Sequence, residues 1–284
     1  MRSATKALLS ATLALALATP ALAQAEPVWP VRHKLLGKQD KNGDRKKSTD
    51  ISGIACATDA GFPRTCMVID DNLAAAQLVI VTDGELVAGS PVPLIADSDK
   101  GEALDLDGEG VAFADGSFYV LGSHGRPRRT KDKLDSDELA AVTARTLSSS
   151  QIVRVTLDPK AVDAEGRLTG EPTVVSSRKL RDLLRADPLI GPFVDRNLEE
   201  NGLTIEGIAV RKGRVYVGLR GPSLGAGDGV IVSVAEAFLF GDAPATLERH
   251  LLPLGPGQGI RDLAVSGGDL LVLSGPTGEG DGPY

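Results

Sequence analysis

Short apolar runs alternate with polar turn residues along most of this chain, and the pattern repeats. Residues 51–58, 65–70, 77–82 and 86–95 read as four strands, separated by Asp59 to Pro63, Asp71-Asn72 and Asp83-Gly84. Asp-Gly between β-branched runs is a hairpin signal, so the four form an antiparallel meander. The same order recurs at 110–114, 117–122, 151–157 and 171–176, and again at 205–211, 214–219, 229–234 and 245–254. A fourth unit begins with 260–266 and 269–273 and stops at Tyr284. Two stretches break the alternation. The insertion over residues 127–150 carries a helix near 137–145. Leu180, Leu183 and Leu184 have the spacing of an amphipathic helix over 177–186, which Pro188 ends.

Each unit opens on a related motif: Ser52-Gly53-Ile54-Ala55, Glu109-Gly110-Val111-Ala112, Glu206-Gly207-Ile208-Ala209 and Asp262-Leu263-Ala264. A supersecondary unit that recurs in this way predicts a repeat array. The expected fold is therefore all-β, a propeller-like array of four-stranded antiparallel blades with two short helical insertions. Residues 31–36 could supply a strand that closes the ring. Because the fourth unit has only two strands, the expectation is that the array is cut short at the C-terminus.

The first residues have a different character. Arg2 and Lys6 precede an apolar stretch over residues 7–18, and Ala21-Leu22-Ala23 has the form of a cleavage site. This predicts a signal peptide over 1–23, an N-terminal segment over 24–49 that could hold the closing strand, and the repeat domain over 50–284. No later apolar run is long enough to span a bilayer. A periplasmic or secreted protein is expected. Cys56 and Cys66, the only cysteines, fall in adjacent predicted strands, and an oxidising compartment would join them. The alternative is a pair of buried free thiols.

The formal charge of −7 becomes more negative once Arg2 and Lys6 are removed, which argues against a nucleic-acid partner. The partner class left open is a small molecule or a protein.

The segments from Asp107 to Ala112 and from Tyr119 to His124 resemble a family of exported bacterial proteins known only as a domain of unknown function. Glu206 to Ala209 with Gly218 to Pro222 is similar to it again, as is Ile260 to Leu263 with Ser274 to Thr277. The resemblance spans residues 50–284 and implies a propeller-like fold. The opening motif alone is similar to one in phytase-associated esterase-like propellers.

Antiparallel order puts the start of each first strand and the end of each second strand at one end. That gathers Glu109, His124 and Arg126; Glu206 and Arg220; Arg261 and Asp262; and Asp70 and Asp71. The candidate catalytic groups are Glu109, Glu206 and His124. Carboxylates could share protons, and histidine titrates near neutrality. Arg126, Arg220, Arg261, Asp70 and Asp71 are candidate ligand contacts, since arginine grips phosphate or carboxylate bidentately. Glu109, Glu206 and Asp262 could hold a cation, with calcium the natural choice for oxygen ligands. Equally, both glutamates could accept backbone N–H groups from a neighbouring unit, Arg220 could serve an inter-unit ion pair, and His124 could cap a loop. Residues 40–44 resemble the start of a calcium loop, but Arg45 and Ile51 stand where such a loop needs glycine and glutamate. Five basic residues over 126–133 form a solvated insertion that pairs with Asp132, Asp135 and Asp137. The leading functional reading is ligand or partner binding over the mouth of a propeller channel. The rival is a metal-assisted esterase or phosphoesterase.

Overall fold

The computed structural model describes residues 28–128 and 133–278. The proposed signal peptide and the basic run at 129–132 lie outside these. In the N-terminal segment β1 (Val31–Arg32) precedes a small hairpin of β2 (Leu36–Gln39) and β3 (Arg45–Lys47). Asp40 caps the hairpin turn. Its Oδ1 accepts from the N–H of Asn42 at 2.9 Å and of Asp44 at 3.0 Å, so the calcium-like stretch is a hydrogen-bonded turn.

The first large sheet contains β4 (Ile51–Cys56), β5 (Arg64–Asp70), β6 (Ala75–Val81) and β7 (Leu86–Pro93), with β1 added parallel to β7. Cys56 stands opposite Cys66 across β4 and β5, and the two form a disulfide. A two-residue ribbon, β8 (Ser98–Asp99) with β9 (Glu102–Ala103), leads to the second sheet. This runs β10 (Gly108–Ala114), β11 (Ser117–Gly122), β12 (Ile152–Thr156) and β13 (Thr173–Ser177). The third runs β14 (Thr204–Arg211), β15 (Arg214–Leu224), β16 (Asp228–Ala235) and β17 (Leu247–Pro253). The fourth holds β18 (Gln258–Ser266) and β19 (Asp269–Pro276).

Among the described residues three α-helices interrupt the strands. Helix α1 (Ser136–Ser149) starts on a reciprocal cap, in which Asp135 accepts from the Glu138 N–H and Glu138 reaches back to the Asp135 N–H. Helix α2 (Lys179–Ala186) buries Leu180 and Leu184, as their spacing predicted, and also buries Arg181. The one-turn α3 (Glu236–Leu239) has no counterpart in the sequence pattern. Its Glu236 carboxylate accepts from the Tyr119 hydroxyl at 2.7 Å and from Arg154 Nη1 at 2.8 Å, tying the third sheet to the second.

Successive sheets bury their apolar faces against one another. Met67, Ile69, Leu78, Val111, Phe118 and Val153 fill the seam between the first and second sheets. Leu121, Ile152, Ile205, Ile208, Val217 and Val232 fill the seam between the second and third, which α2 also covers with Leu180 and Leu184.

The propeller expectation is not met. The molecule mixes helices with strands, and among the described residues the strands form six separate open sheets, none closed or strongly curled. The proposed closing segment fails for a local reason. Only Val31 and Arg32 of it pair as β1, and they join the far edge of the first sheet beside β7. Leu36 belongs to the small hairpin. No residue of that segment pairs with the two-stranded fourth sheet.

Candidate functional site

The repeated opening motif has a shared geometry. In each large sheet the pairing of first and second strand slips by one residue at the same place. The slips lie between Ile51 and Gly53, Gly108 and Gly110, Ile205 and Gly207, and Ile260 and Asp262. Ser52, Glu109, Glu206 and Arg261 are thus the extra residues of four equivalent β-bulges. A bulge re-aims its side chain and ends regular pairing, which is why such residues collect at functional sites.

The next residue explains the glycines. A Cβ on Gly53 would lie 2.9 Å from the Gly110 backbone. One on Gly110 would lie 2.8 Å from the Glu206 carbonyl oxygen, and one on Gly207 2.9 Å from the Asp262 carbonyl carbon. The first strands touch backbone to backbone at these points, and only glycine permits it. Four bulge side chains are thereby set in series: neutral Ser52, acidic Glu109, acidic Glu206 and basic Arg261.

Glu206 is fully engaged. Its Oε1 accepts from Arg220 Nη1 at 2.9 Å, and its Oε2 lies 2.7 Å from Arg261 Nε. The same arginines hold the end of β19. Arg220 donates to the carbonyls of Thr277 at 2.9 Å and Gly278 at 2.7 Å, and Arg261 donates to that of Pro276 at 3.0 Å. Burial pushes the Glu206 carboxyl up, while the two guanidiniums pull it back.

Glu109 has no such partner. It forms no hydrogen bond or ion pair with any described residue. Burial first, then Asp107, Glu206 and Asp71, hold its carboxyl well above the usual range. Acids surround it. Asp107, in the left-handed region at φ 51°, accepts from the Ser123 hydroxyl, and burial raises it. Asp105 is raised by burial and then by Asp107. Burial pushes Asp71 to about 6, with help from Asp50, Asp70, Asp107 and Asp105.

The remaining candidates are dispersed. Asp70 is buried and accepts from the Ser48 hydroxyl and the Asn72 N–H, so it braces the turn after β5. Asp262 accepts from the N–H of Leu263 at 2.7 Å, and burial raises it. His124 is wholly buried after β11. Its Nδ1 lies 2.8 Å from the Gly122 carbonyl oxygen, its Nε2 has no partner, and burial lowers it to about 4. Arg126 donates to the Asp195 carbonyl at 3.1 Å and does not join Arg220. The candidate set omitted Asp105 and Asp107, although the run Asp105-Leu106-Asp107-Gly108-Glu109 alternates acids at every second position. It also omitted Arg181 and Arg185 of the second predicted helix.

The metal expectation is not supported. Among the described residues no group of three or more histidine, cysteine, aspartate or glutamate side chains could hold a metal ion. Calcium requires six to eight oxygens at 2.3–2.6 Å, and these carboxylates do not supply that cage. The metal-assisted esterase reading falls with it. The channel reading falls because no closed array surrounds a channel.

A family model described as a protein of unknown function, DUF3616, matches residues 89–284, more than half of the chain. The chain belongs to the DUF3616 family. The match begins within β7 and takes in Glu109, Glu206, Arg220 and Arg261, but not Ser52, the disulfide or Asp71. It is shorter than the resemblance over 50–284 and carries no propeller assignment with it. No curated protein matches the chain. Among the described residues no helix is long and apolar enough to cross a membrane.

Proposed function

We propose that this protein is an exported binding domain that receives an organic ammonium group at Glu109, Asp71, Asp105 and Asp107. One observation carries the reading: Glu109 and Glu206 occupy equivalent bulges, yet Glu206 takes both nearby arginines and Glu109 takes none. A carboxyl desolvated among other acids gains more from an incoming cation than an exposed one does. Among the described residues these acids form no metal-holding cluster, whereas a polyamine carries several ammonium groups along a flexible stem and can meet them separately. The disulfide and the leader-like N-terminus support a periplasmic or secreted setting, with residues 50–284 as the functional unit.

Binding should be coupled to proton release. The cation favours ionised carboxyls, so affinity should rise with pH through the raised titrations of Asp71 and its neighbours. Calorimetric titration of the purified protein with spermidine and with cadaverine at pH 5 and pH 8 tests this. Saturable binding, tighter at pH 8 and lost in Glu109→Gln, is expected. Heats no larger than those of sodium chloride at equal ionic strength would overturn the reading.

A further inference from the structure

A cavity of about 110 Å³, lined by none of the first-strand acids, lies between α1, α2 and Asp195. Three arginines meet there. Asp195 Oδ1 accepts from Arg181 Nη2 at 3.2 Å and from Arg185 Nη2 at 2.8 Å, and the Asp195 carbonyl accepts from Arg126 Nη1 at 3.1 Å. Asp182, exposed and 3.7 Å from Arg185, is the second carboxylate of the group. Three guanidiniums thus face two carboxylates in a protein whose overall charge is −7.

The arginines play different parts. Arg181 is only 4% exposed, and both its terminal nitrogens are committed. Nη1 donates to the His124 carbonyl and to the Ser150 hydroxyl, and Nη2 donates to the Val194 carbonyl as well as to Asp195. It is a locked cation that fixes the wall of the cavity. Arg126 and Arg185 have donors left over: Nε and Nη2 of Arg126 and Nε of Arg185 meet no acceptor among the described residues. A liquid water takes about 30 Å³, so the cavity has room for three or four waters, or for one tetrahedral oxyanion in their place. Guanidinium forks fit that geometry, and their hydrogen bonds to it are charge-assisted.

We infer that this cavity binds a tetrahedral oxyanion, phosphate or the head of a phosphomonoester, with Arg126 and Arg185 as its donors and Arg181 and Asp195 holding them in place. The inference is independent of the ammonium site, since it uses none of the same residues.

The test uses the full chain in chloride buffer of fixed ionic strength, titrated with inorganic phosphate and, separately, with glycerol phosphate. Saturable single-site binding and a rise in melting temperature are expected. Equal affinity for the two would identify the free phosphate head as what is read, and binding of phosphate alone would restrict the site to the inorganic ion. Both support the inference. Arg126→Gln/Arg185→Gln, at one half-buried and one exposed position, should weaken binding by about tenfold or more. Should that pair not fold, Arg126→Lys keeps the charge but loses the fork, and should also weaken binding. No saturable response to either anion, or unchanged affinity in the variants that fold, would overturn it.

Discussion

Glu109 and Glu206 are the same residue in the same bulge of neighbouring sheets, preceding the same glycine, yet their surroundings are opposite. The two glutamates face different groups in the next sheet. Glu206 faces Arg261 and gains Arg220 from its own second strand. Glu109 faces Glu206, and the other groups that raise it, Asp107 and Asp71, are also acids. The backbone repeats while the charge sequence along the bulges does not, so one position became an internal ion pair and the other a site with charge to spare. Structural and binding roles for these glutamates need not compete, because each is filled by a different copy of the motif.

The sharpest way to break the comparison is to remove the same charge from both positions. Glu206→Gln keeps the shape but leaves Arg220 and Arg261 facing a neutral amide in a largely buried place. Breaking a buried pair from one side costs about 3 kcal/mol. The urea midpoint should fall accordingly. Glu109→Gln should move the midpoint the other way at pH 8, because it removes a desolvated acid from among other acids. A fall in both variants would mean that Glu109 has a structural partner after all.

Next in size is the glycine contact. Gly110→Ala places a Cβ 2.8 Å from the Glu206 carbonyl oxygen, an overpacking that should cost about 2 kcal/mol. Asp262 holds the equivalent position in the fourth sheet and already carries a side chain there, so no strand contact depends on a missing Cβ. Asp262→Ala should therefore change stability by less than about 0.5 kcal/mol. Denaturant melts of the two variants test whether the glycines are there for strand contact. Equal losses would deny it.

These contrasts show what could be read in the chain beforehand. Most strands of the four units were legible within a residue or two, because β-branched runs bounded by turn residues leave few alternatives, but β15 and β19 run five and three residues past their expected ends. The opposed cysteines were legible from the same alternation. The bulges were not, since a one-residue slip appears only when two strands are paired. The arginine partners of Glu206 were within reach as a group, but which glutamate would receive them depended on how neighbouring sheets stack. Closure was misread for a related reason. Val31, Leu35 and Leu36 mark an apolar segment without naming its partner, and β1 went to the edge beside β7. The cluster of Arg126, Arg181 and Arg185 was hidden because a buried arginine inside an amphipathic helix looks, in sequence, like one on its wet face.

The smallest effect in the intact protein is its response to pH, because two buried groups oppose each other over one window. Asp71 rises to about 6 on folding. Between its ordinary value near 3.8 and pH 6 the folded state holds a proton that the unfolded state has lost, so this contribution falls as pH rises. His124 drops from 6.5 to about 4. Over that interval the unfolded state binds the extra proton, and stability rises with pH. Asp105, Asp107 and Glu109 add to the first slope, while Asp195, lowered chiefly by its hydrogen bond to Arg185, acts at more acid pH. Raised acids outnumber the one lowered histidine, so the native melting temperature should fall gently from pH 4 to pH 6.5. Asp71→Asn should make that fall shallower. His124→Gln, which keeps an acceptor and a donor in the same space, should make it steeper. Parallel profiles for the two variants would show that the acids around Glu109 are not desolvated, and the contrast between the two glutamates would lose its electrostatic basis.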